Sequence, residues 1–152
     1  MSLGGGGGGG AMQQIQEQMQ ALEQEKEAIQ NEIENVRTEQ GEIDEAIEAI
    51  GALDSGATVQ VPLGGDAYVR AEIQDMDEVI VTLGGGYAAE RDSDGAVDSL
   101  ERKKETLDDR IADLEEEIEA VEAETEDLEA KAQQAQQQQM QQMQQQMQQD
   151  DE

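Results

Sequence analysis

The sequence predicts an α+β fold: a long antiparallel coiled-coil hairpin with two β-hairpins between its helices, the strands assembling into an oligomeric β-barrel. Three observations predict it. Two stretches carry apolar residues at an unbroken 3-4 spacing. Between them lie two short segments of period-two alternation around glycine clusters. The 152 residues also hold too few large apolar side chains to fill one compact globule.

That last point comes from a count. Leu, Ile, Val and Phe number 27 of 152, about 18%, below the ~20% that usually separates folding chains from disordered ones. Lys plus Arg is 9 and Asp plus Glu is 38, for a net charge of -29. On these numbers alone the chain reads as disordered and acidic. Periodicity overturns that reading.

Residues 1–11 open the chain with Met1-Ser2-Leu3 and seven glycines, a flexible tail by composition. Residues 12–53 form the first coiled-coil helix. Positions 12, 15, 19, 22, 26, 29, 33, 36, 40, 43, 47 and 50 make a heptad seam in which 10 of 12 are apolar. A chance acidic sequence does not hold phase for six heptads.

Residues 54–95 are the assembly region. Val59, Val61 and Leu63 alternate on one face, as do Val69 and Ile73, with Gly64-Gly65-Asp66 as the tight connection. Val79, Val81 and Leu83 repeat the plan around Gly84-Gly85-Gly86, ahead of Tyr87 to Arg91. Pro62 cannot donate a ladder hydrogen bond, so its strand lies at an edge or carries a bulge there. Two small hairpins with no core of their own are marginal, and unpaired edges recruit other strands. Hairpins shared among subunits solve this; packing on the chain's own helix ends is the alternative. On the shared-sheet reading, Val81→Asp breaks assembly.

Residues 96–135 form the second helix. Positions 97, 100, 104, 107, 111, 114, 118, 121, 125, 128, 132 and 135 keep the same spacing, again with 10 of 12 apolar. Each seam spans about 40 residues, or ~60 Å of helix. Residues 136–152 are a Gln/Met-rich acidic tail, frayed helix or disordered. In it Met140, Met143 and Met147 keep 3-4 spacing one residue out of phase with the seam, a stutter.

Missing residue types exclude chemistry. The chain has no Cys and no His. Thiolate nucleophiles, disulfides, zinc-thiolate sites and imidazole bases are therefore out, and the sequence reads as a non-enzyme with no metal and no cofactor. Gly84-Gly85-Gly86 precedes strand-like sequence and lacks the Gly-Lys-Ser/Thr of a phosphate loop. The charge disfavours nucleic acid, and no run of 18 apolar residues offers a membrane span. A cytoplasmic setting is the default reading. Only four lysines accompany 38 acids, a balance suited to molar salt, where a ~3 Å Debye length screens self-repulsion.

Folding the hairpin at the strands pairs Ile50 with about Val97 and brings Met12 near residues 135–140. Met12, Met19, Met140, Met143 and Met147 then gather at the free ends. Methionine is flexible and polarizable, which suits a surface accepting many apolar shapes. The plainer reading is that these are seam fillers. Lys26, Gln40, Lys104 and Thr125 occupy a positions, where polar residues fix register. On the flanks Glu39 can meet Arg110, but Glu25 lies near Glu124 and Glu32 near Glu117.

The order of parts, with Val61-Pro-Leu-Gly-Gly65 and Tyr68-Val-Arg-Ala-Glu-Ile73 in the first hairpin, resembles archaeal prefoldin alpha subunits. Val79-Ile-Val-Thr-Leu-Gly-Gly85 and Ala89-Glu-Arg-Asp92 are similar to the same family. The resemblance covers about residues 12–135; the polyglycine leader and the Gln/Met tail depart from it. It implies a hexamer of two alpha and four beta subunits on a β-barrel platform. It also implies a holdase that needs no ATP, grips unfolded client proteins at the coiled-coil tips and delivers them to a group II chaperonin. Met12, Ile15, Met19 and the tip of the second helix would be the client contacts. The competing class is a structural coiled-coil scaffold with one specific partner.

Overall fold

The computed structural model describes residues 6–150, and side chains over 10–149. The order is α1 (Gly6–Ala52), β1 (Thr58–Gly64), β2 (Ala67–Glu72), β3 (Val79–Gly84), β4 (Tyr87–Arg91) and α2 (Ser93–Asp150). Two long helices thus flank two antiparallel hairpins, as the periodicities predict. The chain divides into two compact units, Met1–Ile33 with Ala112–Glu152, and Glu34–Ile111.

In the first unit the seam accounts for all the burial. Met12, Ile15, Met19, Leu22, Lys26, Ile29 and Ile33 on α1 are buried or half-buried, as are Leu114, Ile118, Val121, Thr125, Leu128, Ala132 and Ala135 on α2. Every other side chain described in this unit is exposed. Leu114 is fully enclosed. The helices run antiparallel: Gln18 and Lys131 line the same groove as Glu25 and Glu124. Thr125 resolves its polarity locally, its hydroxyl donating to the Val121 carbonyl at 2.9 Å.

Both helices extend past the bounds read from the seam. α1 starts at Gly6 and α2 runs to Asp150. Glutamine propagates a helix well, so residues 136–150 add turns to one already nucleated. Each glycine in Gly6–Gly10 costs about 1 kcal/mol relative to alanine, so that end leans on the rest of α1. Residues 1–5 of the leader and 151–152 of the tail lie outside the described residues.

In the second unit the two hairpins are separate two-stranded sheets, β1-β2 and β3-β4. β1 pairs with β2 from Thr58↔Glu72 through Val61↔Val69, with a register shift between Pro62 and Gly64. β3 pairs with β4 from Val79↔Arg91 through Val81↔Ala89, with the same shift between Thr82 and Gly84. Both turns follow one geometry. Gly65 and Asp66 have φ of 59° and 62°, and Gly85 and Gly86 have 60° and 81°. Two successive positive φ values make a type I′ turn, which matches strand twist and favours Gly and Asp.

The first hairpin's ladder continues through Ile73, whose N–H donates to Ala57 O at 2.8 Å. The link between hairpins is held at Met76. Its N–H donates to Ser55 Oγ at 3.0 Å, and its carbonyl accepts from Ser93 Oγ at 2.7 Å.

Asp92 caps α2, its Oδ1 accepting from Gly95 N at 2.7 Å. A Cβ at Gly95 would lie 2.7 Å from that same oxygen, so the cap requires glycine there. Asp92→Ala is expected to cost about 1 kcal/mol in denaturant melts. An unchanged midpoint would contradict the cap.

Candidate functional site

Three surfaces carry the candidate residues. The first is at the ends of the helices in the first unit. Met12, Ile15 and Met19 are half-buried in the seam, so they pack there while part of each side chain stays open to solvent. Burial on α2 ends at Ala135. Beyond it Met140, Met143 and Met147 are 64%, 65% and 72% exposed. The positions that stay in phase, 139, 142, 146 and 149, are exposed as well, so the end of seam burial at Ala135, and not the stutter, leaves these methionines open. The six residues therefore form two groups, one lining the seam and one on an open helix face.

The second surface is on the hairpins. Val61, Leu63 and Val69 are exposed, with Val61 and Val69 directly opposite across the β1–β2 ladder. Val59 and Ile73 are half-buried. In the second hairpin Leu83 is exposed and Val79 half-buried, but Val81 is only 6% exposed. Val79 and Val81 share a cleft of about 420 Å³ with Ala46, Ala49, Ile50 and Leu100. Val81 is thus packed inside its own unit, so an aspartate there is expected to disturb the chain itself and does not isolate the effect on shared strands. Three further residues, Tyr68, Ile80 and Tyr87, are exposed as well; they lie inside the strand runs but outside the set of apolar residues that alternation picked for assembly.

The third feature is a polar cluster in the second unit. Gln40 Nε2 donates to the Lys104 carbonyl at 3.2 Å and to Asp108 Oδ1 at 2.6 Å. Lys104 Nζ donates to Asp44 Oδ1 at 2.8 Å. That hydrogen bond, then the charge of Asp44, holds the Lys104 pKa above its ordinary 10.5; partial desolvation opposes the rise, and Asp108 and Glu101 add to it. A raised lysine pKa stabilises the fold in full below the unfolded value. The contribution is lost as pH climbs through the folded one. Gln40 and Lys104 are thus each satisfied by a carboxylate four residues on from the partner helix's a position. The signal was present in the sequence as Gln40/Asp44 and Lys104/Asp108. In the first unit Lys26 follows the same rule, 3.1 Å from Glu122. Glu39, read as able to meet Arg110, lies 3.9 Å from Lys103.

Among the described residues no group of three or more Asp or Glu is placed to hold a metal ion. Among them, too, no helix is long and apolar enough to cross a membrane.

The profile of the family described as Prefoldin subunit matches residues 22–150. The chain belongs to the prefoldin subunit family. Its relatives include the prefoldin subunit alpha of Haloarcula marismortui, 67% identical over 106 residues, covering 70% of this chain and 69% of that one. The prefoldin subunit alpha of Halobacterium salinarum is 68% identical over 76 residues, covering 50% and 49%. The chain thus spans about half the length of that second relative. The chain is thus similar to prefoldin alpha subunits of haloarchaea, and its acid-rich composition agrees with that likeness. Among solved structures, a filamentous prefoldin from Methanocaldococcus jannaschii is 27% identical at a TM-score of 0.53, covering 81% of this chain and 98% of that one. The prefoldin beta subunit from Thermococcus strain KS-1 shares the fold, with a TM-score of 0.52 at 22% identity over 82% and 90% of the two chains.

Proposed function

We propose that this chain is the alpha-type subunit of an ATP-independent holdase. Two alpha and four beta-type subunits would share their hairpins in a β-barrel, with no cofactor. The helix ends would hold unfolded client proteins and pass them to a group II chaperonin. The observation that carries this reading is the exposure of Met140, Met143 and Met147 on α2 beyond the last buried seam residue. An unfolded chain offers varied apolar side chains, and thioethers adapt to them at little cost. Several such ends on one oligomer gain affinity through effective concentration. The exposed Val61, Leu63 and Val69, on a two-stranded sheet with open edges, support assembly through strands.

The test is light scattering of a denatured client diluted into molar salt, with the chain alone and with its beta-type partner. Suppressed aggregation without ATP, strongest with both subunits, is the expected result. No suppression by a verified, folded hetero-oligomer would overturn the holdase and favour a scaffold with one partner. Trimming residues 133–152 is expected to weaken suppression severalfold and leave the oligomer's mass otherwise intact. Loss of the oligomer on trimming would contradict the division of labour between helix ends and hairpins.

A further inference from the structure

The chain contains no Cys and no Trp, so its seven methionines are its most readily oxidised side chains. They are not equivalent. Met12 and Met19 are half-buried at a positions of the seam. Met76 is half-buried, with its backbone held by Ser55 and Ser93. Met140, Met143 and Met147 are about two-thirds exposed or more, and their neighbours in sequence are glutamines.

We propose that Met140, Met143 and Met147 form a methionine-oxidation site for peroxide, and that their conversion to sulfoxides switches off client holding while assembly persists. The second half rests on the holdase reading. The thioether sulfur attacks one oxygen of hydrogen peroxide. A sulfur–oxygen bond forms as the oxygen–oxygen bond breaks, and the departing hydroxide takes the proton of the transferred oxygen to leave as water. Sulfur is oxidised by two electrons and peroxide is reduced. The reaction needs direct approach to sulfur, so rate follows exposure.

The consequence follows from polarity. A sulfoxide oxygen carries a strong dipole that must be desolvated, without a partner, against an apolar client side chain. An adaptable apolar face becomes a polar one. The fold is insulated from the change, because α2 buries no side chain among residues 136–149. A methionine sulfoxide reductase would restore the thioethers.

The experiment treats the full chain, assembled with its beta-type partner in molar salt, with hydrogen peroxide. Peptide mapping by mass spectrometry should show one-oxygen gains at Met140, Met143 and Met147 at least about fivefold faster than at Met12, Met19 and Met76. Equal rates at the two sets would overturn the site. With those three converted, about tenfold more oligomer should be needed for half-suppression of client aggregation, at unchanged oligomer mass. Reductase treatment should reverse this. The Met140→Leu/Met143→Leu/Met147→Leu chain should lose nothing on peroxide treatment relative to its own untreated level. Undiminished suppression by the oxidised wild-type oligomer would overturn the switch. If the untreated oligomer fails to suppress aggregation, the holdase reading fails with its switch, while the mapping still decides the site.

Discussion

A chain carrying Val61→Asp and Val69→Asp is expected to stay folded and to lose assembly with its beta-type partner. The two residues face each other across β1 and β2 and are exposed. Inside the single chain the change costs little: two solvated carboxylates placed opposite each other repel by tenths of a kcal/mol. In a shared sheet the same carboxylates must be desolvated without a counter-ion, at several kcal/mol together. Every 1.4 kcal/mol is tenfold in affinity, so association should weaken by at least about a thousandfold. Scattering mass against concentration reads the effect, and circular dichroism confirms that the helices survive. A full-sized oligomer from this variant would refute assembly through the first hairpin. Val81→Asp is no substitute, because Val81 packs against its own helices.

The helices and strands were legible in the sequence because each carries its own period. All 24 seam positions are buried or half-buried. The glycine clusters marked both type I′ turns, and Pro62 marked a bulge that Gly64 closes. Composition pointed the other way because it averages over a chain whose apolar residues are concentrated in two stripes and four strands. A coiled coil needs one buried residue in each 3-4 step, far fewer than a globule.

What the sequence hid was which side of a face becomes covered. Both hairpins alternate in the same way, yet Val61 is open and Val81 is closed. Alternation assigns residues to a face; the packing partner decides its fate. The Ser55–Met76–Ser93 hydrogen bonds were invisible for the same reason, since they join residues up to 21 apart in sequence through the backbone N–H and carbonyl of Met76. The methionines were legible as a group but not as two groups. The phase shift of Met140, Met143 and Met147 was readable, but it does not decide burial: every residue described past Ala135 is exposed, in phase or not, while Met12 and Met19 lie where the seam is still covered.

Dialysis from molar salt to ~10 mM is expected to weaken the coiled coil. Thirty-eight acids face nine bases, and the cross-helix ion pairs of Lys26, Lys103 and Lys104 offset only a fraction of them. Glu25 and Glu124 line a single groove beside Asp127, so like charges meet across the helices as well as along them. In molar salt the Debye length is about 3 Å and each repulsion is confined to near neighbours; at 0.01 M it is about 30 Å and most carboxylates in a unit act on one another. Individual exposed pairs cost tenths of a kcal/mol, so a dozen sum to about 3–4 kcal/mol. At about 2–4 °C per kcal/mol for a chain of this length, Tm should fall by roughly 6–16 °C. Helical circular dichroism during the dialysis reads it directly. Glu124→Lys should flatten the salt dependence by turning one repulsion into an attraction with Glu25. A Tm that ignores salt in both chains would show that the acidic surface is neutral to stability, and would leave the packing of the 24 seam residues as the whole cause of helix pairing.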